Sequence, residues 1–544
     1  MKIKLPKQLP YGNANFKSVR TEKNYVYVDK TRFIELLENE SNNSKIFIRP
    51  RRFGKSLFIS MLSYYYDVNY ADEFEQLFGN LYIGKNPTPL KNSYAVMGFN
   101  FSGINTSSID AFKNSFLENI RNAVRRFLDN HKNIFPNTEQ ILSKIINHEY
   151  SAFESFDLVL GIAESAGLKI FVIIDEYDHF ANDLIAMGSE LGDDFYRDVI
   201  HVNGIVRDFY EKLKIASGDG IIGQTFITGI SPVMLDDLTS GYNIADNLTL
   251  DLQYNEMLGF TRNEVNSIMN EINIDASKIE INMERYYNGY LFNEEAENKI
   301  YNSSMIFYFF SQILKTGKSP KYLIDPNLSI DSKRLRRLCQ NEKNRNILLQ
   351  IIKDGGIVSR LLEKFSIDNL VDDDYFVSLL FYMGLLTING LCDGQTQLTI
   401  PNYSIQRIYW EQVRFLIAEN SKLVRIDTSL LEKSIKSIAI DGNINNFISY
   451  ISKNVLSKIS NYDLQNFDEK YIKAILLTYL ILDDNYIPIS ESEIDSGRVD
   501  IFLQRNPKYS AAKYEWVLEL KYCKTASKKS VVDQKRKEGL DQLN

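Results

Sequence analysis

The sequence predicts an α/β chain with a parallel sheet in its first half and a smaller mixed α/β unit near its end. Three stretches carry that expectation. Ile46–Leu57 reads Ile-Phe-Ile-Arg-Pro-Arg-Arg-Phe-Gly-Lys-Ser-Leu, a strand-type apolar run that leads through Gly54-Lys55-Ser56 into the helix-compatible Leu57–Leu62. Ile170–Ile174 is a continuous apolar run ending in Asp175-Glu176-Tyr177-Asp178, as expected of a strand buried on both faces of a parallel sheet. Near the end, Gly497–Leu503 and Trp516–Lys521 read as two strands joined by a loop.

The first stretch has the strand–loop–helix order that a phosphate-binding loop requires. In such a loop the backbone N–H groups and the helix N-terminus, with Gly54 at the turn, face phosphate. Lys55 reaches the terminal phosphates, and the Ser56 hydroxyl ligates magnesium. The glycine usual five residues before Gly54 is replaced by Arg49, so the pattern is a variant, and Gly-Lys-Ser alone also suits an ordinary turn before a helix. The second stretch supplies the complementary acid. Asp175, at the carboxyl end of its strand, is placed to hold magnesium through water near Ser56, and Glu176 to polarise the attacking water. Asp175, Glu176, Asp178 and His179 also read as a metal cluster, or as a solvated acidic turn. Gln224–Pro232 is a further buried strand. It sets Thr228 where a hydroxyl senses the terminal phosphate, although a plain β-branched strand residue has the same appearance.

Composition bounds what the rest can be. At 544 residues the chain has room for roughly three domains. With 44% hydrophobic residues, each can have a core. The net charge of −7 argues against a protein that coats nucleic acid or membrane over its whole surface, while leaving room for a local basic patch. Cys339, Cys392 and Cys523 are far apart and show no Cys-x-x-Cys spacing, so neither a disulfide framework nor a zinc knuckle is indicated, and a reducing cytoplasm fits. No export signal is expected after Met1–Pro6, and the nine apolar residues Ala474–Leu482 are half a membrane span, better read as a buried helix.

Tyr25–Val28 is a short strand candidate, and Asp29-Lys30-Thr31 leads into a helix beginning near Arg32. Tyr27-Val28-Asp29-Lys30-Thr31 together with Arg49-Pro50-Arg51-Arg52-Phe53-Gly54-Lys55-Ser56 resembles the bacterial AAA-ATPase-like family, in which a P-loop domain is commonly joined to a PD-(D/E)XK nuclease-like domain. The family's loop has this arginine-rich form, so the resemblance implies a working loop despite Arg49. Gly259-Phe260-Thr261 and Asn288-Gly289-Tyr290 resemble further family signatures. Tyr301-Asn302-Ser303 departs from its Tyr-Asn-Pro, a change expected to be local.

Between these landmarks, Ala95–Phe101 reads as a strand. Ile109–Phe127 reads as a helix with Phe112, Phe116, Ile120 and Val124 on one stripe, and Thr261–Glu264 as a capping box. Tyr375–Leu385 followed by two short strands around the turn signal Asp393-Gly394 resembles a winged helix, which serves as a packing module or lid, or binds DNA. Leu423 to about Asp468 is helical and carries no evident chemistry.

The last hundred residues hold a second constellation. Alternation along a strand puts Glu519 and Lys521 on one face, with Leu518 and Leu520 on the other. With Asp500 on the neighbouring strand, two carboxylates converge that would hold a divalent, oxygen-preferring cation such as magnesium. Lys521 would orient or deprotonate the attacking water, which is the chemistry of phosphodiester hydrolysis. Asp-(x)n-Glu-x-Lys is equally an ordinary wet strand face. Gly497-Arg498-x-Asp500 and the apolar helix Tyr471–Leu482 strengthen the nuclease-domain resemblance, and Glu491 and Glu493 are equal candidates for a further acidic member. Between Lys521 and Glu538, seven basic residues face two acidic ones, suiting a nucleic-acid backbone or a solvated helix. After Gln542 the resemblance leads one to expect more helix and another strand, so this domain reads either as truncated or as a fold completed some other way.

The resulting expectation is a P-loop domain over 1–250, a helical and winged-helix-like region over 251–420, a helical linker over 421–465, and a restriction-endonuclease-like α/β domain over 466–544. ATP and Mg2+ are the implied cofactors, nucleic acid (DNA before RNA) the implied partner, and a second copy of the chain a conceivable one. The implied function is an ATPase whose state gates a nuclease. Its rival is a nucleotide switch or scaffold that binds nucleic acid or protein without cutting.

Overall fold

A computed structural model of the chain describes residues 7–22, 24–187, 195–196, 198–200, 204–235, 243–320, 322–325, 335–365, 372–420, 428–458, 469–494, 497–507, 511–521, 523 and 529–543. Two compact units emerge. One comprises Met1–Ala276, Tyr287–Pro320 and Val358–Leu398, and the other Ser277–Tyr286, Lys321–Ile357 and Thr399–Asn544.

The first unit is built on five strands: β1 (Ser44–Ile48), β2 (Ala95–Asn100), β3 (Ile170–Asp175), β4 (Ile222–Gly229) and β5 (Ala245–Asn247). They pair in the order β2-β3-β4-β1-β5, all parallel. Every residue of β1 and β3 is buried, which is why Ile46–Ile48 and Ile170–Ile174 read as apolar runs, whereas the edge strand β2 alternates. Crossover connections bring the carboxyl ends of parallel strands to one edge of the sheet, the usual place for a ligand crevice. There β1 feeds the Lys55–Tyr66 helix and β3 the His179–Met187 helix. The Ile109–Asn130 helix, capped by Ser108, buries Phe112, Phe116, Ile120 and Val124 as the stripe predicts.

Two expectations need correction or extension. Tyr25–Val28 is no strand: Tyr25 makes one isolated bridge to Gln8, because that short segment has only a single-residue partner beside it. β5, three residues long at the sheet edge, went unread for want of an apolar run. Farther along, β6 (Gly356–Ser359) is a short strand, and the Asp373–Tyr382 helix precedes a hairpin of β7 (Thr387–Cys392) and β8 (Gln395–Thr399). Asp393 and Gly394 both take positive φ at its turn, 51° and 79°.

Lys45 sits inside β1 with 3% of its surface exposed, its Nζ donating to Gln224 Oε1 at 2.9 Å. Burial pulls its ammonium down to about 8, with Glu40, Glu38 and Asp246 opposing the shift. The folded state therefore binds fewer protons than the unfolded chain between about 8 and the ordinary lysine value of 10.5. Stability from this group consequently rises with pH through that window, by up to about 1.4 kcal/mol per pH unit. Denaturant titrations from pH 7 to 10.5 should show that rise in the wild type and a flatter profile in Lys45→Met.

The second unit carries an antiparallel meander, β9 (Tyr486–Ile494), β10 (Gly497–Arg505) and β11 (Trp516–Leu518), in the order β11-β10-β9. Preceding it is the Glu469–Leu480 helix with Ala474–Leu477, Tyr479 and Leu480 buried, and following it the Lys529–Leu543 helix. The sequence reading missed β9 because Pro488 interrupts its alternation. Proline is tolerated there since β9 lies at the sheet edge, opposite Leu503. The described parts of the expected linker form the helices Thr428–Asp441 and Asn445–Asn454, and residues 459–468 lie outside the described residues. The first of these helices buttresses the meander: Lys513 N–H donates to Ala439 O at 2.8 Å, and Trp516 Nε1 to Ile438 O at 3.3 Å. Among the described residues no helix is long and apolar enough to cross a membrane.

Candidate active sites

Arg49 explains the missing glycine. Its side chain leaves the loop and inserts into the core, fully buried, where Nη1 donates to Ile48 O (2.9 Å) and Thr249 O (2.7 Å) and Nη2 to Tyr254 O (2.9 Å). The guanidinium lies 4.1 Å from the ring centre of Phe47 and 3.9 Å from that of Phe292. Carbonyl oxygens and aromatic faces thus supply the negative potential a buried cation needs.

The following residues are held by distant parts of the chain. Asn302 Nδ2 donates to Arg51 O at 3.2 Å, Ser303 Oγ and Ser304 N–H to Arg52 O at 3.1 and 3.2 Å, and Gly259 N–H to Phe53 O at 3.0 Å. The Phe53 ring meets Tyr290 edge-on, centroids 5.0 Å apart. Gly259 has φ +81°, and a Cβ there would come 2.8 Å from Tyr301 O. The three signatures after the sheet are therefore loop-packing residues. Ser303, standing where the family has proline, is the first residue of the Ser303–Thr316 helix, a position that accepts proline readily. Here it adds a hydroxyl bond to the loop. Arg52 takes φ 68° and Gly54 φ 102°, the latter directly before Lys55 starts the helix.

Lys55 is buried, its Nζ donating to Arg49 O (2.8 Å) and Pro50 O (3.0 Å). Burial pushes the ammonium below its ordinary value, and Glu176, Asp175 and Asp178 oppose that shift. Ser56 Oγ donates to Asp175 Oδ2 at 3.2 Å, while Asp175 Oδ1 is buried without a hydrogen-bond partner. Burial raises the Asp175 carboxyl, with Lys55 pulling the other way. Asn100, at the end of β2, places its amide 3.5 Å from the same carboxylate. Glu176 follows with φ 54°, unfavourable for a residue with a Cβ, and Nδ1 of His179 stands 3.0 Å from its Oε2.

The neighbouring Asp178 is a structural staple. Buried, it accepts from Ser231 N–H (2.7 Å), Ser231 Oγ (2.9 Å) and Ile230 N–H (3.1 Å). It fastens the exit of β4 to that of β3. Among the described residues no group of three or more His, Cys, Asp or Glu side chains is arranged to hold a metal, so the four-residue cluster reading has no support.

A cavity of about 390 Å³ opens over the loop, with Gly54, Lys55, Ser56 and Glu176 at one end. Its lining also includes the apolar side chains of Tyr11, Val26, Val28, Leu258, Phe260 and Phe307. Lys30 lines it too, but its Nζ is engaged by both Glu264 carboxylate oxygens (2.6 and 2.8 Å) and Glu256 O (3.0 Å). Thr228 is not in the cavity wall; it is buried, and its hydroxyl donates to Phe47 O on β1 at 2.7 Å, so in this structure that hydroxyl serves the sheet.

In the second unit Ile501 pairs with Leu518, so Asp500 lies one step beyond the ladder, beside Glu519. β11 stops at Leu518 and not at Lys521, because Leu520 N–H donates to Asp500 Oδ2 at 2.9 Å in place of a ladder bond. Glu519 Oε1 and Lys521 Nζ are 2.5 Å apart, on one face as alternation requires. Lys473, buried in the preceding helix and unremarked in the sequence, reaches within 3.8 Å of Asp500 Oδ1. The side chains of Glu491 and Glu493, and residues Lys524 and Lys528 of the basic tail, lie outside the described residues. In the tail helix Lys535 pairs with Glu538 at 2.6 Å.

Comparison with known proteins matches residues 10–239 to the AAA-ATPase_like family, described as a predicted AAA-ATPase, and residues 467–544 to the PD-(D/E)XK nuclease superfamily. The chain joins an AAA-ATPase-like domain to a PD-(D/E)XK superfamily domain. A protein of Azotobacter chroococcum mcd 1, named only as an uncharacterized protein in the vnfD 5' region, is 24% identical over 325 residues, 59% of this chain and 56% of that protein. The match thus spans little more than half of that relative. Solved structures similar to this one include the ORC1 protein of Aeropyrum pernix in complex with DNA (8% identity, 74% of this chain and 98% of that one, TM-score 0.28). The ORC2 protein of Aeropyrum pernix, in ADPNP-ADP complexes, is also similar (9% identity, 77% and 98%, TM-score 0.31). Likenesses of that size carry no argument here.

In the first unit, Tyr11, Met257, Leu258 and Phe307 are cavity residues that motif reading passed over. Tyr11, Met257 and Leu258 stand beside Gly12 and Gly259, glycines that the structure places at positive φ, and Phe307 lies in the Ser303–Thr316 helix. In the PD-(D/E)XK domain the overlooked residue is Lys473, a lone cation in an otherwise apolar helical stretch.

Proposed function

We propose that the first unit binds and hydrolyses ATP in the cavity over Gly54–Ser56, and that its nucleotide state governs metal-dependent phosphodiester cleavage of nucleic acid, DNA before RNA, by the C-terminal domain. The observation that carries the ATPase reading is the Ser56–Asp175 contact, with the buried second oxygen of Asp175 left unpartnered beside Lys55. A hydroxyl and an unsatisfied carboxylate oxygen at the carboxyl edge of a parallel sheet fit a hard divalent cation. Magnesium, when bound there with ATP, neutralises phosphate charge. Ser56 and Asp175 would hold it, Lys55 would leave the Arg49 and Pro50 carbonyls for the terminal phosphates, and Glu176 would orient the attacking water. The apolar and aromatic part of the cavity lining suits a flat nucleobase.

In the C-terminal domain Asp500 and Glu519 are a fitting oxygen donor pair for the same class of cation, and Lys521 is placed against Glu519 to orient a water. The second reading, a switch whose C-terminal domain binds without cutting, is favoured by the same contacts: Lys521 already neutralises Glu519 and Lys473 stands beside Asp500.

Cleavage of single- and double-stranded DNA and of RNA, with Mg2+ or Mn2+ and with or without ATP, separates the two. We expect cleavage in the wild type, its loss by about a hundredfold or more in Asp500→Ala and Glu519→Ala, and an altered ATP dependence in Lys55→Ala. Absence of cleavage under every metal, with ATP binding lost in Lys55→Ala, would leave the switch as the function.

A further inference from the structure

We infer that His179 is a positioning residue for ATP hydrolysis, setting the Glu176 carboxylate toward the cavity through the ion pair between its Nδ1 and Glu176 Oε2. The inference deepens the ATPase reading and rests on Glu176 as the group that orients water. Three observations carry it. Glu176 stands at positive φ, so its own backbone preference does not place it; surrounding contacts do. The imidazole Nδ1 is 3.0 Å from its carboxylate, at ion-pair distance for the protonated ring though not aligned as a hydrogen bond, and the ring stands at the start of the His179–Met187 helix directly after the β3 turn. Behind it, Asp183 Oδ2 lies 3.7 Å from Nε2, which fixes the ring from its other side.

Among the described residues, Arg51 and Lys55 act on Glu176 from the loop, Asp175 acts on it from the end of β3, Arg51 also reaches His179, and Asp183 acts on His179 from its own helix. The contact with His179 holds the Glu176 carboxyl below its ordinary range, and Glu176 in turn raises the imidazole. A carboxylate on a flexible two-carbon stem would otherwise be free to fold onto the Lys55 ammonium, away from a water. Holding it at one angle keeps its second oxygen available to that water.

The test is steady-state ATP turnover, nucleotide affinity and thermal stability of the full chain, compared for wild type, His179→Ala, His179→Asn and Glu176→Gln. Expected for His179→Ala is a kcat about tenfold to a hundredfold lower with KM, nucleotide affinity and melting temperature unchanged. His179→Asn, whose amide can replace the Nδ1 donor, should recover part of kcat. If kcat in His179→Ala is unchanged or higher, or falls only in step with affinity or stability, the positioning role is overturned while a dead Glu176→Gln leaves the ATPase reading standing. If Glu176→Gln turns over ATP like the wild type, the positioning role falls while the ATPase reading stands with another group orienting the water; if the wild type has no turnover, both fall together.

Discussion

Arg49→Gly, which installs the glycine usual at the head of such loops, is expected to lower stability by roughly 3–5 kcal/mol. The substitution removes the three hydrogen bonds donated to the carbonyls of Ile48, Thr249 and Tyr254, leaving Tyr254 O with its bond from Met257 N–H alone. It also opens the space between the Phe47 and Phe292 rings and gives the loop a more flexible first residue. Arg49→Met, which refills that space without the charge, should lose less than the glycine variant. Urea unfolding of the three proteins checks this, and equal midpoints for wild type and Arg49→Gly would remove the anchoring role. Nucleotide affinity should fall along with stability, because Lys55 Nζ rests on the Arg49 and Pro50 carbonyls.

Glu176→Gln should behave in the opposite way, keeping the fold and the nucleotide while losing turnover. The amide matches the carboxylate in size but no longer attracts a water proton, so kcat is expected to drop by about 10²- to 10⁴-fold. ATP affinity should stay within about threefold of the wild type, since a bound-state contact that survives the swap changes little in the ground state. Single-turnover hydrolysis alongside fluorescent-nucleotide binding measures both. A Glu176→Gln protein that hydrolyses normally would mean the water is oriented by another group, with Asn100 the nearest polar alternative on the β2 end.

The parallel sheet was legible because burial on both faces writes itself as apolar runs, Ile46–Ile48 in β1 and Ile170–Ile174 in β3. The loop chemistry was legible because Gly54, Lys55 and Ser56 act through local geometry that a strand followed by a helix already implies. Where the reading ran short, the determinants were not local. Arg49 looks like one more basic residue of an arginine-rich turn, and only the arrival of Thr249 and Tyr254 beside it makes it a core residue. Thr228 was read from its place on the strand, but which neighbour its hydroxyl meets depends on the β1–β4 register, which pairs it with Phe47. Lys521 and Glu519 were rightly expected on one face. The early end of β11 depends on a side chain of the neighbouring strand competing for a backbone N–H, which strand propensity does not encode.

The carbonyls of the loop have a consequence for the order in which this protein is made. Thr249 O is 200 residues from Arg49, and Asn302 is 251 residues from Arg51. A ribosome that has delivered residues 10–239 has delivered strands β1 to β4, yet not Thr249, Tyr254, Gly259, Asn302, Ser303 or Ser304, the distant groups that fasten Arg49, Arg51, Arg52 and Phe53. Closing contacts over such separations is slow compared with forming helices and neighbouring strands. The nucleotide pocket should therefore be among the last features of its domain to mature during translation. A fragment ending at residue 239 should hold the sheet while binding nucleotide poorly, and the capacity to bind should return once translation has passed Ser304.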